Sequence, residues 1–264
     1  MTATGWFFRV RVTILSCVLA AVCLWACQDV RARRARNDWE APVRVGLVML
    51  RHGNVDERAL RELRVRSGAL EARLAREFER YRGATSAPMI QIVTYGPVAV
   101  DAAPPTEVGD SFWARAAQAY RLWRYTSRVD AAAGVPTHEL DSRIYVVAEA
   151  PQESSHSVEG FSEERGRVGV ARVDLALDTV DLALFVAAHE MFHTLGATDK
   201  YEASGRTSIP YGLPEPDRTP LFPQPSAEVM ARNRVIAPGW EIPPDTLDQL
   251  SVGRWTAQEI GWAH

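Results

Sequence analysis

The 264 residues are 47% hydrophobic and 24% charged, which excludes a disordered chain and leaves enough apolar matter for one substantial core. The formal net charge of −3 hides a skew: residues 1–36 hold six Arg against one Asp, so the remainder carries 24 basic and 32 acidic residues, a balance of −8. An acidic domain of this kind has no general affinity for nucleic acid, and none is expected as a partner.

Arg9 and Arg11 precede an apolar stretch from Val12 to Cys27, the charged flank and short apolar core of an export signal. Cys17, Cys23 and Cys27 all fall inside it, so the rest of the chain has no thiol and no disulfide can brace it. Leu24-Trp25-Ala26-Cys27 looks like a bacterial lipobox, with Leu three residues before the Cys and Ala immediately before it. Residues 1–27 are therefore read as a signal peptide or membrane anchor, either cleaved and lipidated at Cys27 or kept as a span. Residues 28–42, with Arg31, Arg33, Arg34 and Arg36, read as a linker drawn to anionic headgroups, although positive charge just after an apolar segment also resists translocation. The expectation is an exported, membrane-tethered domain over 43–264.

Val43–Leu50 is a β-rich run, and Asn54-Val55-Asp56-Glu57 after it has the pattern of a capping box with Asn54 at the cap. The helix it opens extends to about Tyr81, with Leu60, Leu63, Leu70, Leu74, Phe78 and Tyr81 as its apolar stripe and Glu57–Arg61 and Glu62–Arg66 as pairs on its wet side. Met89–Tyr95 is a second strand and Ile144–Ala148 a third. Between them residues 110–128 carry Phe112, Ala116, Tyr120 and Trp123 at helical spacing, which predicts an aromatic stripe packed on the core. A polar loop with Glu153, His156, Glu159, Glu163 and Glu164 lacks the regular spacing of a calcium site and reads as solvated. Arg167–Leu175 alternates apolar and polar residues and is expected to be an edge strand.

The next segment, 178–195, is a helix with Leu182, Phe185, Val186, Met191 and Leu195 apolar and Asp residues in its first turn, where the helix dipole favours negative charge. On such a helix His189 and His193, four apart, lie one above the other and can offer both imidazoles to one metal ion, while Glu190 points toward a water on that ion. Gly196 then allows a sharp turn that returns Asp199 as a third ligand. Two imidazoles and a carboxylate on a largely apolar helix are costly to bury alone, and a divalent cation supplies the missing partner.

The run His-Glu-x-x-His-x-x-Gly-x-x-Asp at 189–199 resembles the metzincin metalloproteases, in the branch that uses Asp where most members use a third His, as in snapalysin-like and immune-inhibitor-A-like secreted proteases. Tyr201 is shared with those Asp-type motifs, and Met230 in Ser226–Ala231 fits the methionine turn of that family. The resemblance implies an α+β zincin fold: a twisted mixed sheet with an edge strand over the cleft, an active-site helix, a methionine turn and a C-terminal helix. It implies Zn2+ held by His189, His193 and Asp199, Glu190 as general base and acid, and a protein or peptide substrate. The edge strand, with Val168, Val170 and Arg172, would pair with an extended substrate or would simply face water. Tyr201 would orient Asp199 or a ligand histidine, or only pack.

Two departures from the family stand out. Arg232 occupies the place where some metzincins carry a Tyr two residues after the Met, and the stretch from Asp199 to Met230 is longer than in snapalysin-like chains. That insert is rich in Pro (Pro210, Pro214, Pro216, Pro220, Pro223, Pro225) and reads either as a cleft wall or as a solvated loop. Beyond it, 244–250 and 253–262 predict short helices, with Trp255 and Ile260 packed behind the metal site. Three alternatives stay open: a thermolysin-like site with Glu202, Glu215 or Glu228 as third ligand, a membrane-tethered binding protein without catalysis, and a zinc amidase acting on a non-protein amide.

Overall fold

In the computed structural model, which describes residues 3–107, 109, 111–151, 158–162 and 166–263, the chain opens with a single helix, α1 (Ala3–Arg36). Within it Trp6–Gln28, 23 residues, is long and apolar enough to cross a membrane. The stretch expected to be a linker over 28–42 is thus helical as far as Arg36, and residues 36, 37 and 39 are bonded directly to the domain. Arg36 Nη1 donates to Gly166 O at 2.9 Å, Asn37 Nδ2 to Leu195 O at 2.6 Å and Trp39 Nε1 to Ile260 O at 2.7 Å.

Val43, Val45, Leu47, Val48, Met49 and Leu50 are all buried, so β1 (Val43–His52) is covered on both faces and belongs inside its sheet. After it come α2 (Glu57–Arg82), β2 (Ile90–Val100), α3 (Phe112–Ala133), β3 (Ser142–Glu149), β4 (Val158–Ser162), β5 (Val168–Asp174) and α4 (Val180–Thr194). The five strands form one mixed sheet in the order β2-β1-β3-β5-β4, with β2, β1, β3 and β5 parallel and β4 antiparallel to β5. The main core lies on the face covered by α2 and α4, where Leu60, Leu63, Leu74, Leu184 and Phe192 meet Val45, Leu47 and Ile144. A smaller cluster on the other face joins Val48, Leu50, Tyr145 and Val147 to Val129 of α3.

Several local expectations change. The cap of α2 is Asp56, whose carboxylate accepts from Arg58 N at 2.8 Å, and not Asn54. The predicted α2 stripe is buried from Leu60 to Phe78 and half-buried at Tyr81, but Arg66 turns from Glu62 to α4 and grips Asp181 through two bonds of 2.5 and 2.6 Å, while Glu57 pairs with Arg51. The aromatic stripe of α3 faces outward: Phe112 is 74% and Trp123 62% exposed, and the helix is held by Gln118, Thr126, Val129 and Asp130. β5 is not an edge strand, because β4 covers it. Its alternation reads as one wet face, yet Gly169 and Ala171 are buried small residues, Val170 is buried, and Arg172 pairs with Glu149 at 2.9 Å. Val168, Val170 and Arg172 therefore cannot offer a free backbone; the rim beside α4 is β4.

The C-terminal part is made of short pieces: β6 (Ala227–Glu228) parallel to β9 (Leu250–Ser251), the pair β7 (Arg234–Ala237) and β8 (Trp240–Ile242), and α5 (Arg254–Glu259). Ile260 and Trp262 enter the main core as expected of Ile260, whereas Trp255 lies outside it against Tyr211, with ring centroids 4.9 Å apart. The Pro-rich insert is ordered by a side chain: Gln224, fully buried, accepts from Glu215 N at 3.0 Å and donates to Glu215 O at 3.0 Å and Leu221 O at 2.7 Å.

Candidate metal centre

All of α4 is buried except Asp181, Leu182 and His193, so its last two turns carry His189, Glu190 and His193 into the protein on a rigid rod. After Thr194 the chain reverses through Gly196 at φ +97°, a conformation that L side chains rarely adopt, and this turn brings Asp199 back. His189 Nε2 and His193 Nε2 lie 3.1 Å apart, and Asp199 Oδ1 is 3.2 Å from each.

The other nitrogen of each ring is already committed. His189 Nδ1 faces Val229 O at 2.9 Å and His193 Nδ1 faces Ala197 O at 2.9 Å. A carbonyl only accepts, so both Nδ1 atoms carry the proton and both Nε2 atoms present lone pairs. Three acceptors thus point at one spot, which is unfavourable unless a cation fills it. Donors about 2.0–2.1 Å from a tetrahedral ion stand about 3.3 Å from one another, close to the observed triangle. His189, Glu190 and His193 likewise form a group that could hold a metal ion. Without a metal, the same spot draws a proton: burial lowers His193, but Asp199, Glu190 and the Ala197 carbonyl together outweigh it and raise that imidazole above its ordinary value. Burial also acts to raise Asp199, and the two imidazoles overcome it and hold the carboxyl well below the usual carboxylate range.

Glu190 is 2% exposed, its Oε1 4.0 Å from His189 Nε2. β4 passes directly over it. A Cβ on Gly160 would fall 1.7 Å from Glu190 Oε1, so only glycine lets the strand approach this closely. Ser162 Oγ hydrogen-bonds Glu190 Oε2 and lies 3.1 Å from Glu190 O. Burial pushes the Glu190 carboxyl above the usual range, against the His189 imidazole and the Ser162 hydroxyl, which lower it.

Met230 is fully buried in the main core, and the turn around it touches the site twice: Val229 O receives His189 Nδ1, and Met230 O receives Lys200 N at 2.9 Å. Glu228, one of the alternative third ligands, holds this turn instead. Its carboxylate accepts from Met230 N at 2.5 Å, Ala231 N at 3.1 Å and Gly253 N at 3.2 Å. Glu202 is exposed and Glu215 pairs with Arg218, so the carboxylate that reaches both imidazoles is that of Asp199. Tyr201 stacks beside His189, ring centroids 6.1 Å apart at 24°, and the Arg232 guanidinium lies 4.7 Å over the Tyr201 ring.

Four residues that sequence reasoning missed complete the arrangement. Besides Gly160 and Ser162 these are Lys200 and Glu259. Lys200, 5% exposed, donates to Glu259 Oε1 at 2.7 Å and to Thr198 O at 3.0 Å, and Glu259 also accepts from Thr198 N at 2.9 Å. The residues on either side of Asp199 are thereby clamped to α5. A cleft of about 660 Å3 opens over the group, with Leu182, Phe185, Val186 and Pro243 as apolar lining and Arg232 and Asn233 beyond. Among the described residues, the Pro-rich part from 210 to 225 contributes nothing to that lining. Glu153, His156, Glu163 and Glu164 of the acidic loop lie outside the described residues, as does the side chain of Glu159.

No family model matches the sequence, and no curated protein matches it. Among solved structures, one described as a chaperone–substrate complex aligns with 84% of this chain and 35% of its own, at 12% identity and a TM-score of 0.34. Catalytically inactive OgpA from Akkermansia muciniphila, in complex with the O-glycopeptide glycodrosocin, aligns with 62% of this chain and 51% of its own, at 12% identity and a TM-score of 0.33. Wild-type OgpA gives the same shares at 13% identity and a TM-score of 0.30. The chain spans between about a third and a half of the length of these structures.

Proposed function

We propose that this chain is a zinc-dependent endopeptidase of the metzincin kind, with His189, His193 and Asp199 as ligands and Glu190 as general base and acid. The observation that carries the reading is the triangle of His189 Nε2, His193 Nε2 and Asp199 Oδ1 at 3.1–3.2 Å, its two imidazoles oriented by backbone carbonyls, with the Glu190 carboxyl at its side. Two nitrogens and one oxygen suit zinc with a position left open.

Zinc, when bound, supplies Lewis acidity, lowering the pKa of a water toward about 7 and polarising a carbonyl. The protein supplies the rest. Glu190, ionised, takes the proton of the attacking water at its carboxylate and returns it to the departing amine nitrogen. Its carboxyl, raised by burial above the usual carboxylate range, suits that role, since a stronger base accepts the proton more readily. β4 has one rim unpaired among the described strands, and an extended peptide laid along Val158–Ser162 would bring a scissile carbonyl between Glu190 and the ligands. The chemistry is expected to peak at neutral to mildly alkaline pH. With α1 as signal or anchor, the domain is read as exported and held at a membrane.

The experiment is metal analysis and a casein or peptide-library assay on the full chain in detergent, wild type beside Glu190→Gln. The variant is expected to keep stoichiometric zinc and to lose roughly a hundred- to ten-thousandfold in turnover. A zinc-loaded wild type inert on every peptide substrate would overturn the endopeptidase reading, and a Glu190→Gln protein with undiminished turnover would overturn the role of Glu190.

A further inference from the structure

α3 presents its most apolar side to solvent. Its buried residues are Gln118, Thr126, Val129 and Asp130, whereas Phe112, Trp113, Tyr120 and Trp123 are 74, 79, 58 and 62% exposed. Phe112, Ala116, Tyr120 and Trp123 share one face by helical spacing, and Trp113 flanks it. The rings pack in two pairs along the helix, Phe112 with Trp113 at 5.3 Å and Tyr120 with Trp123 at 5.8 Å between centroids. An aromatic strip of this extent marks a contact surface more than a solvated face.

The same helix is cationic. Arg115, Arg121, Arg124 and Arg128 are all exposed, and its one acidic residue, Asp130, is buried against Arg143 and the Tyr145 hydroxyl. This stands out on a domain whose residues after 36 sum to −8. Residues 29–42, fourteen in all and helical as far as Arg36, separate the end of the membrane-length window at Gln28 from β1, so a short tether holds the domain near any bilayer that α1 enters. Trp and Tyr favour the headgroup level of a bilayer, and Arg favours anionic phosphate.

We propose that α3 is a bilayer-docking helix, with its aromatic face seated at the headgroup level of an anionic phospholipid surface and its arginines on the lipid phosphates. α1 brings the domain to the membrane; α3 fixes which side of the domain lies against it. This assignment stands apart from the peptidase reading and survives its failure.

The test uses the full chain with Cys17, Cys23 and Cys27 replaced by Ser, all three being exposed and outside the packed domain. One environment-sensitive fluorophore is attached through Tyr120→Cys, Trp123→Cys or, as reference, Val65→Cys on α2, where Val65 is 73% exposed. The protein is reconstituted into phosphatidylcholine vesicles with and without phosphatidylglycerol. With phosphatidylglycerol, labels at 120 and 123 are expected to shift to the blue and to be quenched by lipids spin-labelled near the top of the acyl chain, while the label at 65 stays water-like. Arg121→Glu with Arg124→Glu and Arg128→Glu is expected to reverse both changes. Water-like emission at 120 and 123 in both vesicles would overturn the proposal, and equal shielding in neutral vesicles would overturn its anionic-lipid part. Shielding that persists in detergent and grows with protein concentration would assign the face to a protein contact and overturn it too.

Discussion

Ser162 and Gly160 decide how Glu190 can work. With Ser162 Oγ on Glu190 Oε2 and no Cβ at Gly160, the carboxyl is gripped by the strand above it and keeps one oxygen toward the imidazoles. The pH effect has a definite sign. A general base fails when protonated, so if Glu190 has the proposed role, activity is expected to fall as pH drops through its pKa, which burial holds above the usual carboxylate range. The Ser162 hydroxyl lowers the pKa, so Ser162→Ala is expected to move the acid limb of kcat/KM to higher pH with zinc content unchanged, and Ser162→Thr to restore much of it. An acid limb that stays in place would remove Ser162 from this role. The two histidines and Glu190 were legible in the sequence because a helix fixes their relation within five residues. Ser162 lies 28 residues from Glu190, and no local pattern announces a contact made by folding.

At the scale of elements, the site is a helix, a returning turn and two braces. Glu228 holds the methionine turn, and the Lys200–Glu259 pair holds the turn that carries Asp199. Glu259→Gln weakens the bonds to both Lys200 and Thr198 without touching a ligand, and zinc affinity is expected to fall roughly ten- to hundredfold, measured by chelator competition, with the ligand set intact. Unchanged affinity would make the pair a mere stabiliser of α5. Helix α2 was legible because its leucines recur on one face and that face is buried. The stripe of α3 was not, for a related reason: periodicity reveals a helix and its stripe but not whether a core lies on that side, and here the contact is made by Gln118, Thr126 and Val129. β5 looks like an edge in sequence because its run alternates apolar and polar residues, whereas β4 pairs along its outer side and Arg172 pairs with Glu149 of β3.

For the whole molecule, the proposed cation site joins parts distant in sequence: α4, the Asp199 turn and the turn around Met230, the last two tied by Lys200 N on Met230 O. A metal that binds only this folded arrangement stabilises the entire domain, by about 4 kcal/mol when free metal exceeds Kd a thousandfold. Chelation is therefore expected to lower Tm in the wild type and to leave the Tm of His189→Ala nearly unmoved; equal shifts in both would place the stabilising ion elsewhere. The general α+β character was legible from alternating strand and helix patterns, while the mixed order β2-β1-β3-β5-β4 was not, since strand order depends on long-range pairing that no local run encodes. The most direct measurement is zinc K-edge X-ray absorption on the metal-loaded full chain. A shell of two imidazole nitrogens and light oxygen donors at about 2.0–2.1 Å is expected, losing one protein oxygen in Asp199→Ala. A spectrum without imidazole scattering, or one identical in Asp199→Ala, would contradict this ligand set.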